Sequence, residues 1–210
     1  ILATRMKRHL ADLVGAFVHG DGDRLVLGIC NGMQVLMRLG ALTEDKAPSP
    51  GDQDPTPGDQ DVEQSATLTW NNHGRFEDRW VHLAVDKTPC VFLKNVDRMY
   101  LPMAHAEGKF VSAEADVLSE LRAQGRLAVR YARGEQGGVE DEVLPFPHNP
   151  NGAEANVAGV CDASGRVFGL MPHPERHIDP TQHPCWTRRD RQPEFGDGMA
   201  LFRNAVEWFQ

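Results

Sequence analysis

The 210-residue chain is poor in tyrosine, with 2, and carries only 4 cysteines, none of them in a C-x-x-C pair. Cys30, Cys90, Cys161 and Cys185 are spaced for neither a zinc-ligand set nor a dense disulfide framework, and a reducing cytoplasm is the expected home. Basic residues are short as well, 22 Lys and Arg against 30 Asp and Glu, for a net charge of -8. Nucleic acids and anionic membranes want a basic face, so neither is expected as a partner. No apolar run approaches the ~20 residues that span a bilayer, and the N-terminus lacks a signal-peptide layout. A helical H-E-x-x-H is missing too. His173, His177 and His183 lie near Glu175, but two His-Pro pairs break the helix such a site would need, and no metal is expected. What remains is a small-molecule or protein partner and enough length for one α/β core, a single domain over residues 1–210.

Residue 1 is Ile, and the first segment reads as a helix already under way. The chain is therefore expected to begin inside a larger domain. Met6, Leu10, Leu13, Val14, Phe17 and Val18 recur at helical spacing from Thr4 to Val18, before a stop at Gly20-Asp21-Gly22-Asp23. The apolar run from Arg24 to Ile29 predicts a strand, and Asn31 to Leu39 a helix ended by Gly40. Ala47 to Gln64 repeats Pro-Gly-Asp-Gln-Asp and has too few apolar residues for a core, which predicts an exposed, flexible loop insertion. Short strands are expected at Ala66 to Trp70, Trp80 to Val85, Val91 to Lys94, Leu101 to Ala104 and Leu127 to Tyr131, with a helix over Ala113 to Gln124. Asn149-Pro150-Asn151-Gly152 is turn chemistry. Val157 to Cys161 and Val167 to Leu170 read as a hairpin, and Met199 to Phe209 as a last helix with Leu201, Phe202, Ala205, Val206 and Phe209 on one face. The alternation predicts an α/β fold with a doubly wound, mostly parallel, flavodoxin-like sheet and its site at the carboxyl end of a strand.

Gly28-Ile29-Cys30-Asn31-Gly32 places one cysteine where strand turns into helix. Glycines two residues either side let the backbone bend sharply and let strand and helix approach, so the thiol projects above the sheet edge. The unpaired N–H groups of the helix start are expected to favour thiolate. A small buried cysteine in a glycine-rich turn is the plainer reading of the same residues.

A cysteine nucleophile needs a base and something to orient that base. His173, lifted to the end of the strand Val167 to Leu170 between Pro172 and Pro174, meets the first need. Glu175 meets the second by accepting the imidazole Nδ1–H. Taken alone, His-Pro-Glu also fits a solvated loop, with Glu175 and Arg176 as surface charge. G-x-C-x-G likewise fits an α/β-hydrolase-like or cysteine-peptidase-like site, or a docking subunit with a residual site. His73, in Asn71-Asn72-His73-Gly74, reads as a turn, and His9, His19 and His82 have no partner in view.

Four ordered blocks narrow these alternatives: Gly28 to Gln34, Pro102 to Phe110, Asn149 to Gly152, and Gly165 to Arg176. Together with Phe202-Arg203-Asn204-Ala205 they resemble the class I glutamine amidotransferases, and most closely the glutaminase components of phosphoribosylformylglycinamidine (FGAM) synthases. The resemblance implies that Cys30 attacks L-glutamine, that His173 moves the protons, and that Glu175 orients His173. It further implies that the Asn31 N–H stabilises the oxyanion, while Gln34 and the His105-Ala106-Glu107 turn line the glutamine pocket. By the same resemblance the domain has no cofactor. The ammonia passes to a synthetase subunit or domain that uses ATP and Mg, with a small accessory subunit as a further partner. Glutaminases for guanylate, cytidylate and carbamoyl phosphate synthesis share the same Cys-His-Glu core. Family members also carry earlier β-α units and a Gly-Gly loop that supplies a second oxyanion donor, a contribution of about 2.7–4 kcal/mol. This chain shows no counterpart of them.

Overall fold

The computed structural model describes residues 16–17, 23–43, 64–189 and 193–210. Apart from Ala16, Phe17, Asp23 and Gln64, the expected first helix, its Gly/Asp stop and the segment from Ala47 to Gln64 lie outside the described residues. The elements run β1 (Val26–Ile29), α1 (Asn31–Arg38), β2 (Ala66–Trp70), β3 (Glu77–Val85), β4 (Arg98–His105), β5 (Glu107–Ser112), α2 (Ala115–Ala123), β6 (Val129–Tyr131), β7 (Val157–Cys161), β8 (Val167–Leu170) and α3 (Met199–Glu207). None of the described helices is long and apolar enough to cross a membrane.

Six strands form one sheet in the order β1-β8-β7-β6-β3-β4, and β2 pairs with β5 in a separate ribbon. The α/β class holds, but the described sheet is mixed rather than mostly parallel. Only β1 and β8 run parallel, with Gly28 opposite Gly169. The other four pairings are antiparallel. Connection length explains one of them, β7 with β8: Asp162 to Arg166 is a tight turn, and a parallel crossover takes a dozen residues or more. Asp162 holds that turn by accepting the Val167 N–H at 2.9 Å on its carboxylate.

The Gly28–Gly169 pair is what brings α1 down onto the sheet. A Cβ on Gly28 would lie 2.5 Å from Leu36, and one on Gly169 would lie 2.7 Å from Met33 and 2.6 Å from Leu42. Met33, Leu36, Met37 and Leu42 accordingly join the core with Phe168, Leu170 and Val160. Without the two glycines, helix and strands would be held apart by a side-chain layer and the turn between them would open.

Two expected elements differ, and one strand was not expected. Val91–Leu93 is a 3-10 turn instead of a strand. The run is confined between Pro89 and Asn95, whose φ of 59° turns the chain away, and Phe92 and Leu93 are buried as a plug. β5 was hidden by its polar residues and begins only one residue after β4 ends, too sharp a corner for periodicity to reveal. On α3, Leu201 is buried, but Val206 is 59% exposed, and Phe209, beyond the helix end, is 57% exposed. Its start is fixed by Gly198 packing on Pro174, and its middle by Asn204, which donates to the Phe92 and Lys94 carbonyls at 2.8 Å each.

Candidate active site

Cys30 stands between β1 and α1 with φ 50° and ψ -105°, a strained conformation for a residue bearing a Cβ. Its N–H donates to the Leu170 carbonyl at 2.8 Å, and its carbonyl accepts the Gln34 N–H at 3.1 Å. Strand register and helix hydrogen bonding therefore hold the strained turn from both sides. Gly28 serves the close approach expected of it, whereas a Cβ on Gly32 would meet nothing within 4 Å.

The thiol points at β4. Cys30 Sγ lies 3.9 Å from the Ala104 carbonyl, and the His173 N–H donates to the Pro102 carbonyl at 2.7 Å. β4 is the last strand of the sheet among the described residues, and its outward edge bears Tyr100, Pro102 and Ala104. Pro102 has no N–H, which suits an edge position. The Tyr100 carbonyl is bonded to His177 Nδ1 at 2.8 Å. One free edge thus receives both candidate catalytic residues, although they follow the strands β1 and β8 at the opposite end of the sheet order.

His173 is 8% exposed. Its Nδ1 is 2.6 Å from Glu175 Oε1, and its Nε2 has no protein hydrogen-bond partner. Glu175 is therefore in contact with His173 rather than a separate surface charge. Arg176 Nε also approaches the same carboxylate oxygen, at 3.6 Å. Burial pushes the Cys30 thiol above its ordinary value. The Asn31 N–H and the Arg176 guanidinium pull the other way, the Glu175 carboxylate adds to the rise, and burial wins. The expected thiolate is therefore corrected. Partial burial raises the thiol more than the helix start lowers it, so the local field does not favour the anion as expected.

The expected pocket residues gather beside this pair. Gln34 Nε2 donates to the Glu107 carbonyl, tying α1 to the His105-Ala106-Glu107 corner. The Ala106 carbonyl accepts the Asn71 N–H at 2.8 Å, and the His105 carbonyl accepts Asn71 Nδ2 at 2.9 Å. His105 is itself 4% exposed. Burial, reinforced by repulsion from His173, pushes its imidazole down to about 4.

Several supporting residues were given no role by sequence reasoning. Asn151 Nδ2 donates to the Gly108 carbonyl at 2.8 Å and to the Tyr131 hydroxyl at 3.3 Å. Tyr131 is fully buried and within charge reach of Cys30. Asn149 accepts the Gly152 and Ala153 N–H groups on Oδ1, so the Asn149 to Gly152 turn is a buried polar brace. Only the Asn-Pro-Asn-Gly spacing could have hinted at it. His177 and His183 join Trp80 and Tyr100 in an aromatic cluster, and His82 stacks on Tyr100 at 4.4 Å.

Comparison with known proteins agrees with this geometry. The model of the CobB/CobQ-like glutamine amidotransferase domain matches residues 1–209. A phosphoribosylformylglycinamidine synthase subunit PurQ from Dehalococcoides mccartyi is 39% identical over 209 residues, 99% of this chain and 72% of the relative. The protein of the same name from Methanococcus maripaludis is 36% identical over 216 residues, 99% of this chain and 73% of that one. A solved PurLQS structure from Thermotoga maritima superposes with a TM-score of 0.62 at 24% identity, over 99% of this chain and 72% of that one, and supports the fold. A cysteine held on a strained strand-to-helix turn, and a His-Glu pair bonded to the same strand edge, thus occur in a chain that belongs to the CobB/CobQ-like glutamine amidotransferase family and, within it, to the PurQ proteins.

Proposed function

We propose that this chain, the glutaminase component of FGAM synthase in purine biosynthesis, hydrolyses L-glutamine through Cys30, His173 and Glu175. The observation that carries the assignment is the division of labour on His173. Nδ1 is committed to Glu175 at 2.6 Å, and Nε2 is left without a protein partner. That fixes the tautomer and leaves one nitrogen to exchange protons.

Burial raises the Cys30 thiol, and a mechanism in which attack and deprotonation are coupled suits it. The Cys30 thiol turns from Ala104 towards His173, and Nε2 takes its proton as sulfur bonds to the side-chain carbonyl carbon. The oxyanion is met by the Asn31 N–H at the start of α1. His173 then protonates the amide nitrogen, the C–N bond breaks, and ammonia leaves a γ-glutamyl thioester. Water gives a proton to Nε2 and its oxygen attacks the thioester. The C–S bond breaks, and the proton returns to sulfur. Gln34 and the Glu107 carbonyl it binds, with Ala106 and His105, form the wall on which glutamine is held.

The ammonia goes to an ATP- and Mg-using synthetase in the cytoplasm, with a small accessory subunit completing the complex. The domain itself needs no cofactor. Mass analysis after treatment with a reactive glutamine analogue tests the reading. A single adduct on Cys30 is expected, and labelling by an ester analogue but not by the glutamine one would overturn it.

A further inference from the structure

The outward edge of β4 carries more than the two contacts that face nucleophile and base. In chain order its groups are the Tyr100 N–H, the Tyr100 carbonyl, the Pro102 carbonyl and the Ala104 carbonyl. The last two meet the His173 N–H and the Cys30 thiol. The first two are taken by residues with no task in the proton transfers above. The Tyr100 N–H donates to Asp197 Oδ2 at 2.7 Å, and the Tyr100 carbonyl accepts from His177 Nδ1 at 2.8 Å. Pro102 has no N–H to offer, so the next hold on the strand is at Tyr100. There a carboxylate makes a charge-assisted bond, stronger than a neutral one.

Asp197 belongs to Gly196-Asp197-Gly198, and this turn also grips the loop that carries the base. The Gly196 N–H donates to the Ile178 carbonyl and the Gly198 N–H to the His177 carbonyl, each at 2.9 Å. A Cβ on Gly196 would collide with the His177 carbonyl oxygen, and one on Gly198 with that of Pro174, so turn and loop touch backbone to backbone. The loop is tight in itself. The His173 carbonyl accepts the Arg176 N–H at 3.2 Å, and the Pro174 carbonyl accepts the His177 N–H at 3.1 Å. Asp197 therefore fastens to β4 a unit that includes Pro174 and His177, and His173 is bonded to the same strand two residues further on.

We propose that Asp197, with His177, is a positioning residue for the base: the two side chains anchor the 173–178 loop at Tyr100 and so set the reach of His173 Nε2 to the Cys30 sulfur. Asp197 acts through Tyr100 and the loop backbone and leaves the reacting atoms to Cys30 and His173. The inference rests on the glutaminase reading and deepens it, since it assigns the Gly196-Asp197-Gly198 turn to the same site.

The rate at which a chloroketone analogue of glutamine labels Cys30, followed against pH in the complex with the synthetase, tests the anchor. The sulfur–carbon bond forms as the carbon–chlorine bond breaks, chloride leaves, and the thiol proton passes to His173. Near pH 7 labelling depends on that base; at about pH 10 the thiol ionises without it. Glu175, Arg176, His105 and Tyr131 stand within charge reach of Cys30 or His173 and are the same in every variant. Rates are taken per labelled site, so unfolded molecules do not count. Asp197→Ala is expected to label about 10²-fold more slowly than the parent near pH 7, with the gap closing at about pH 10. Asp197→Asn keeps an oxygen for the Tyr100 N–H and should label at close to the parent rate at both. A gap equal at the two pH values, no gap, a weaker half-saturating concentration alone, or Asp197→Asn as slow as Asp197→Ala would overturn the proposal. If Asp197→Ala does not fold, His177→Phe takes its place, keeping a ring beside Trp80 but giving no donor to Tyr100: a closing gap supports the anchor, and a constant gap or none overturns it. Failure of the unsubstituted protein to label Cys30 would overturn the glutaminase reading itself.

Discussion

The backbone N–H of His173 donates to Pro102 at 2.7 Å, two residues along β4 from the Ala104 carbonyl that faces the Cys30 thiol at 3.9 Å. One strand edge therefore sets the spacing of nucleophile and base, and the consequences can be measured.

Cys30→Ala and His173→Ala should each reduce glutamine-dependent synthesis by the complex to background, while ammonia-dependent synthesis by the synthetase continues. Assays with glutamine and with ammonium salts make the comparison. Loss of both activities would refute a purely glutaminase role.

Glu175→Gln removes the carboxylate from His173 Nδ1 without emptying its space. The kcat with glutamine should fall, but about 10²-fold less than in Cys30→Ala, as the proposed role of orienting the base without reacting requires. A loss as large as that of Cys30→Ala would contradict the orienting role.

Alkylation of Cys30 by iodoacetamide should rise with pH without a plateau near neutrality, and its inflection should lie above the ordinary thiol value of 9.0. Burial favours the neutral thiol, so alkalinity is needed to expose the anion. A flat, fast profile from pH 6 upward would mean that a thiolate is already formed.

Gly28→Ala would place a methyl group 2.5 Å from Leu36 and 2.8 Å from the Gly32 backbone, and should destabilise the fold by about 1–3 kcal/mol. Gly32→Ala meets nothing within 4 Å and should stabilise α1 by about 0.5–1 kcal/mol. Urea denaturation of the two variants tests the contrast, and equal effects would remove the packing argument.

Acid should destabilise the fold through His105. Its imidazole is held down at about 4 in the folded protein, against 6.5 when unfolded. Between those values the unfolded chain binds more protons, so stability is full above about pH 6.5 and falls by about 3 kcal/mol towards pH 4. Urea midpoints at pH 7 and 4.5 should therefore fall further apart in the parent than in His105→Gln. Identical shifts would show that His105 does not contribute.

Much of this was legible locally. Gly28-x-Cys30-x-Gly32 between an apolar run and a helical repeat locates the turn, because strand and helix signals depend on neighbours a few residues apart. β2, β7 and β8 begin and end where residue pattern and turn chemistry place them. His173 and Glu175 are two residues apart, so their contact was within reach of spacing. Only the tertiary structure decided that Gly169 lies opposite Gly28, that β4 brings Pro102 and Ala104 to the nucleophile, and that Asn151 reaches Gly108 and Tyr131. The balance of effects on the thiol was decided there too. The helix start that favours the anion is visible in the sequence, whereas the burial that opposes it comes from the strands and loops that close around Cys30.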